Sequence, residues 1–235
     1  MMGAAAMSST GPSTGYWDRW EERSHDWRAS IDFMHPFGRD HAEQLAPLTA
    51  VLDALRAIPG VDVPPIEWLH ATWLHLGFLR AEDIMWSQVE TYYVSAAPRL
   101  RRVQPRPVRL GGIALTEDGR VTLGVEDAGL FRDARKQASI GTMKAREAIL
   151  ADAAMTPDGD TFAATIDIAF LDAQASAGTV AQAIEPYRAL HVAEVTPTHL
   201  MLARVAPEPT KHFDSLDIVA EIPMLGDQHR GGYHN

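Results

Sequence analysis

The run Trp68-Leu69-His70-Ala71-Thr72-Trp73-Leu74-His75-Leu76-Gly77-Phe78-Leu79 constrains this chain more than any other stretch. It follows the turn Pro64-Pro65, precedes a helical pattern and is apolar at most positions on both faces. That combination reads as a central strand, covered from both sides. Side chains alternate along a strand, so His70 and Thr72 share one face while Leu69, Ala71 and Trp73 share the other. His75, five residues on, falls opposite His70, where it reads as a packing residue. An imidazole two residues from a hydroxyl, on a stiff element, is a small acid–base and anion-contact unit. It is equally a satisfied core histidine beside a β-forming threonine, and the strand alone leaves both readings open.

The pattern around this strand occurs twice. Strand 68–79 leads to helix 81–102, then to strands near 107–115 and 120–126 joined by the hairpin signal Glu117-Asp118-Gly119. A helical region over 127–153 connects to the second run: strand Phe162 to Leu171, helix 177–190, and strands near 195–205 and 214–224. The order β-α-β-β, read twice with little residue identity, predicts an α+β fold of two pseudo-symmetric ferredoxin-like lobes facing one another across a central cleft. The expected organisation is a single bilobal domain over 16–225. N-terminal helices occupy 16–58, lobe one spans about 66–127 and lobe two about 160–225. Tyr16 to Ile31, with Trp17, Trp20 and Trp27, reads as an amphipathic helix docked on the domain or lying over the cleft. Asp40 to Ile58 reads as a helix ended by Pro59-Gly60. Residues 1–15 and 226–235 read as loose tails, and His229 and His234 as tail composition.

Composition narrows the function. No run of about eighteen apolar residues exists to span a membrane, and the Ala/Ser/Thr/Gly-rich start lacks the layout of a signal peptide. The chain has no cysteine, which excludes disulfides, thiolate catalysis and cysteine-based metal centres. A cytoplasmic protein is the expectation. A formal charge of −10 argues against long nucleic acids as partners, because phosphate neutralisation supplies much of that affinity. No His/Asp/Glu set has a recognisable metal spacing and no glycine-rich phosphate loop occurs, so neither metal nor cofactor is expected. The arginines at 99–106 read as a basic helix C-terminus, and His191 as the end of a helix.

In the second leading strand Phe162, Ala164, Ile166, Ile168 and Phe170 form one apolar face, and Thr165, Asp167 and Ala169 the other. A mid-strand aspartate is disfavoured unless it meets a partner or a solvated cleft. If the halves correspond, His70 pairs with Thr165 and Thr72 with Asp167.

Leu69-His70-Ala71-Thr72, followed by Leu76-Gly77-Phe78, resembles the first His-x-Thr/Ser motif of the 2H phosphoesterase superfamily, which includes 2′-5′ RNA ligase-like proteins and cyclic phosphodiesterases. Val195-Thr196-Pro197-Thr198-His199-Leu200-Met201-Leu202 and Ile218-Val219-Ala220-Glu221 look like that family's closing hairpin. The resemblance implies the bilobal fold and two histidines that share base and acid roles at a phosphodiester. The second motif, roughly Phe-x-Pro-His-x-Ser-x-Ala-Tyr, aligns with Phe162 to Phe170. That puts Thr165 at the histidine position and Asp167 at the hydroxyl position. Losing one of two proton carriers costs roughly 10²–10⁴ in rate, and Asp167 would repel a phosphate.

Three functions follow as expectations. The first is a retooled acid–base enzyme, with His70 and Asp167 as its catalytic pair. Thr72 and Thr165 would then hydrogen-bond a small polar or phosphorylated metabolite in the cleft. The second is a non-catalytic ligand-binding protein. The third is a residual cyclic phosphodiesterase using His70 and His199.

Overall fold

β1 (Ala29–His35) is hydrogen-bonded on both edges, to β3 (Ala71–Leu79) and to β8 (His199–Val205), with β9 (Leu216–Pro223) beyond β8. The computed structural model describes residues 15–18, 29–79, 86–149, 163–205, 213 and 216–228. A second sheet runs β2 (Val61–Asp62), β6 (Thr165–Leu171), β5 (Arg120–Glu126), β4 (Val108–Leu115) and β7 (His191–Val195), in that spatial order. All pairs are antiparallel. Helix α1 (Thr49–Arg56) packs on α4 (Ala177–Ile184) and on β6, while α2 (Trp86–Leu100) packs on α3 (Leu130–Ile149), which also lies on β3. The two leading strands, β3 and β6, meet. The expected α+β architecture of two sheets with helical cover is what forms. Among the described residues no helix is long and apolar enough to cross a membrane.

The sheets do not follow the two halves of the chain. β4 and β5, expected in a first lobe over 66–127, pair with β6 in the second sheet; β8 and β9, expected in a second lobe over 160–225, pair with β1 in the first. Strand patterning records which face is buried and carries no label for the partner, so the exchange has no signature in either half. Within what read as one strand over 195–205, Pro197 marks the crossing: β7 ends at Val195 in one sheet and β8 starts at His199 in the other. Proline cannot donate to a ladder, which suits it to that break.

Other expectations shift for local reasons. Residues 16–18 are helical, but 29–31 belong to β1, where buried Ile31 and Phe33 alternate with Ser30 and Asp32 at a period of two. Residues 19–28, including Trp20 and Trp27, lie outside the described residues, as do 1–14, 80–85, 150–162 and 229–235 with His229 and His234. The predicted helix 40–58 is a one-turn helix Phe37–Asp40, a tight turn Ala46–Leu48 carrying Pro47, and α1. His191 opens β7 instead of closing a helix. Gly226, expected in a loose tail, donates its N–H to the carbonyl of Arg101 at 3.1 Å.

Candidate active site

β-bulges in β3 and β6 decide which side chains share a face. In β3, Met34 pairs with Thr72, Phe33 with Leu74 and Asp32 with His75, so one extra residue sits between Thr72 and Leu74. Paired residues of an antiparallel ladder project to the same face, and a bulge shifts the alternation by one. His75 therefore joins His70 and Thr72 on the cleft face, contrary to the simple count of residues. Trp73 turns inward and stacks on Phe33, with ring centroids 5.2 Å apart. In β6 the partner of Thr122 is Asp167 and that of Val121 is Ala169, which leaves Ile168 as the extra residue. Phe170 consequently shares the face of Thr165 and Asp167, and Ala169 enters the core. The two leading strands thus present matching sets: His70, Thr72 and His75 on one, Thr165, Asp167 and Phe170 on the other.

His70 lies one residue before β3, at the end of a turn in which the Trp68 N–H bonds the Pro65 carbonyl at 3.1 Å. It is buried, its ring is edge-on to Trp68, and its Nδ1 stands 2.7 Å from the Trp68 carbonyl oxygen. That carbonyl can only accept, so the neutral ring carries its proton on Nδ1 and leaves Nε2 as the base. Burial pushes the imidazole below its ordinary range, while the Trp68 carbonyl and the charges of Asp167 and Asp32 act in the other direction.

Asp167 and His70 interact electrostatically but do not form a hydrogen bond; the partner of the carboxylate is Arg120. The guanidinium reaches both oxygens of Asp167, at 3.1 and 3.3 Å, and its Nε holds Asp118 at 2.9 Å. Burial pushes the Asp167 carboxyl up, and Arg120 and then His70 oppose that shift. Sequence reasoning missed Arg120. Its signal was present: it opens a strand after a hairpin turn, two residues before Thr122, the partner of Asp167. It also missed Asp32, which is buried on β1, accepts a hydrogen bond from Ser30 Oγ and pairs with His75 Nδ1 at 2.7 Å.

Beside these groups lies a buried apolar cluster. Met34, Trp68, Phe170, Met201 and Phe213 form a small cluster of their own, and Tyr16 and Trp17 pack onto it. Phe170 lies 4.8 Å from each of those two rings. The Trp17 indole N–H also donates to Asp62 at 2.9 Å. The N-terminal turn over 16–18 thus sits on that cluster.

His199 belongs elsewhere. Its Nε2 stands 2.8 Å from Asp40, and its backbone carbonyl is 3.1 Å from Nδ1 of His35. His35 packs on Phe37 and Phe131 of the main core, on the face of β1 opposite Met34.

The chain matches no family model and no curated protein, and the likeness to known proteins is carried by structure. A crystal structure of TT0787 from Thermus thermophilus aligns with 84% of this chain and 99% of its own, at a TM-score of 0.61 and 19% identity. E. coli LigT complexed with ATP aligns with 83% of this chain and 97% of its own, at 0.56 and 14%. A crystal structure of a phosphoesterase aligns with 83% of this chain and 98% of its own, at 0.52 and 15%. The fold is that of the 2H phosphoesterases. β3 and β6, which meet, are the strands on which the two sets of side chains stand.

The Arg120–Asp167 pair gives a first testable consequence. Arg120→Met leaves two carboxylates, Asp118 and Asp167, without their shared cation. Both members of the pair retain some solvent contact, 30% and 25% of the side chain, so the expected loss is about 1–2 kcal/mol, below that of a fully buried pair. Asp167 already has its folded pKa raised, so its favourable contribution is present below the unfolded value and disappears as pH rises through the folded one. Without Arg120 the folded value climbs further, and the deficit should be larger at about pH 8 than at about pH 5. Denaturant midpoints at the two pH values check this, and adding Asp167→Asn should restore most of the loss. A deficit independent of pH would show that the carboxylate is not the group left stranded.

Proposed function

We propose that the cleft is the site of an acid–base enzyme acting on a small polar or phosphorylated metabolite, with His70 as the proton carrier. The observation that carries this reading is the contact between His70 Nδ1 and the Trp68 carbonyl. It fixes the tautomer so that Nε2 is the acceptor, on a buried ring whose lowered pKa keeps it neutral at physiological pH. Asp167 acts through space: once His70 has taken a proton, the carboxylate stabilises the imidazolium. Arg120 meanwhile keeps that carboxylate from standing alone. Thr72 and Thr165 supply hydroxyls from the two walls. E. coli LigT has been solved with ATP, which favours a phosphorylated small molecule within this class.

Conventional cyclic-phosphate hydrolysis fits the site poorly. Thr165 occupies the position of a second histidine and cannot exchange protons near neutral pH. His199 is engaged with Asp40. His75 faces the cleft, but five strand residues span roughly 16 Å, too far for two groups to flank one phosphorus. A non-catalytic binding protein is the second reading, favoured by the packing of Tyr16 and Trp17 over Phe170.

The test is incubation of the purified protein with small polar metabolites, their phosphate esters and 2′,3′-cyclic nucleotides, followed by mass spectrometry. One of the small metabolites should be converted by wild type and left intact by His70→Gln. A compound that raises the melting temperature and is returned unchanged supports the binding reading. Equal conversion by a folded His70→Gln protein eliminates the assignment of His70.

A further inference from the structure

Where β1 ends, three imidazoles and a carboxylate gather from parts of the chain that are distant in sequence. His35 ends β1, Asp40 and His41 close the one-turn helix after it, and His199 opens β8. One ligand atom from each of His35, Asp40 and His199 lies within 4.8 Å of the others. The His35 and His41 rings are 5.5 Å apart, and those of His35 and His199 5.6 Å. We propose that this cluster is a binding site for a divalent transition-metal ion of the zinc type, with His35 Nε2, Asp40 Oδ2 and His199 Nε2 as ligands and His41 as the fourth.

The ligand atoms are already prepared for an ion. His35 is fully buried, and its Nε2 has no hydrogen-bond partner among the described residues; His41 Nε2 is in the same position. Buried polar atoms without partners are uncommon, and a cation is one of the things that satisfies them. Nδ1 of His35 donates to the His199 carbonyl, so the lone pair is on Nε2, the buried nitrogen without a partner among the described residues. A metal-bound histidine is usually anchored in this way through its second nitrogen. The carboxylate is oriented too: Arg39 Nε holds Asp40 Oδ1 at 3.1 Å, leaving Oδ2 toward His199. The far nitrogen of His199, Nδ1, has Thr198 Oγ1 at 3.4 Å.

Donors around a tetrahedral zinc stand roughly 3.4 Å apart. The cluster would therefore tighten by side-chain rotation, without moving a strand. Three nitrogens and one oxygen suit zinc, cobalt or nickel, and suit calcium or magnesium poorly. A filled site would tie the end of β1 to the start of β8, joining chain segments 164 residues apart. This inference stands apart from the chemistry assigned to His70.

The experiment uses the full chain, stripped with a chelator and titrated with Zn²⁺ by calorimetry and with Co²⁺ by visible absorption. One equivalent should bind, with the intense spectrum of a tetrahedral ion, and Zn²⁺ should raise the melting temperature. His199→Ala and Asp40→Asn both alter partly exposed residues, and each should weaken binding at least tenfold. His41→Ala should weaken it less and change the cobalt spectrum. His35→Gln, in the core, is read only if circular dichroism shows the protein folded. Failure of the wild type to take up one equivalent overturns the proposal. So does unchanged affinity in both His199→Ala and Asp40→Asn, because the metal would then be held by other histidines.

Discussion

His70→Gln should lower turnover of the cleft's substrate by roughly 10²–10⁴, the usual contribution of a positioned general acid or base. The variant should stay folded. Glutamine retains an N–H donor for the Trp68 carbonyl, which His70 Nδ1 contacts at 2.7 Å. The loss should fall on kcat more than on KM, because Thr72 and Thr165 remain to hold the ligand. The pH dependence separates a proton carrier from a structural histidine. Burial holds the folded pKa of His70 below its ordinary value. A neutral base should therefore sustain the rate from neutral pH down past about 6.5 and lose it only at more acid pH. The same shift has a sign in stability. His70 contributes fully above its unfolded pKa, and the contribution is lost as pH falls through the lower folded value. His70→Gln should flatten stability in that acid window. Turnover by His70→Gln that matches wild type would leave the imidazole with only a packing role.

Much of the fold was legible because local chemistry and tertiary structure agree. The hairpin at Glu117-Asp118-Gly119 forms as read: Gly119 has φ +79°, Thr116 N–H bonds the Arg120 carbonyl, and β5 covers 120–126 as expected. That His70 shares a face with Thr72, and Thr165 with Asp167, could be read from alternation alone, because those residues precede the bulges. Everything after the bulges was misassigned. A bulge is a property of a pair of strands, and the extra residues Trp73 and Ile168 look like ordinary strand residues in sequence. His75 and Phe170 were placed on the wrong face for that single reason. The cluster around Asp40 was hidden differently: His199 lies 159 residues away, and only the exchange of β8 into the first sheet brings them together. β1 itself was masked by its tryptophan-bearing neighbour. Its alternation of Ile31 and Phe33 with Ser30 and Asp32 was the available signal.

Gly38→Ala should be the most damaging of the alanine substitutions at the described glycines, because it strikes the turn that carries His70. A Cβ at Gly38 would stand 1.7 Å from the carbonyl oxygen of Ile66 and 3.0 Å from the amide nitrogen of Leu69. Both are backbone atoms, so no side-chain rotation relieves the contact. The Gly38 N–H also donates to the Leu69 carbonyl at 2.7 Å, locking the segment after β1 onto the segment before β3. The alanine must therefore either break that bond or displace residues 66–69, and with them His70. The expected loss is about 3 kcal/mol or more, at the upper end for overpacking. For a chain of this size that corresponds to roughly 6–12 °C in melting temperature. Gly178→Ala is the matched control. It lies exposed in α4, its Cβ would meet nothing nearer than Ser176 Oγ at 3.8 Å, and the helix should gain about 0.5–1 kcal/mol. Denaturant melts of the two variants should move in opposite directions. A Gly38→Ala protein as stable as wild type would mean that the two turns are not in contact, and that His70 is held at the cleft by something else.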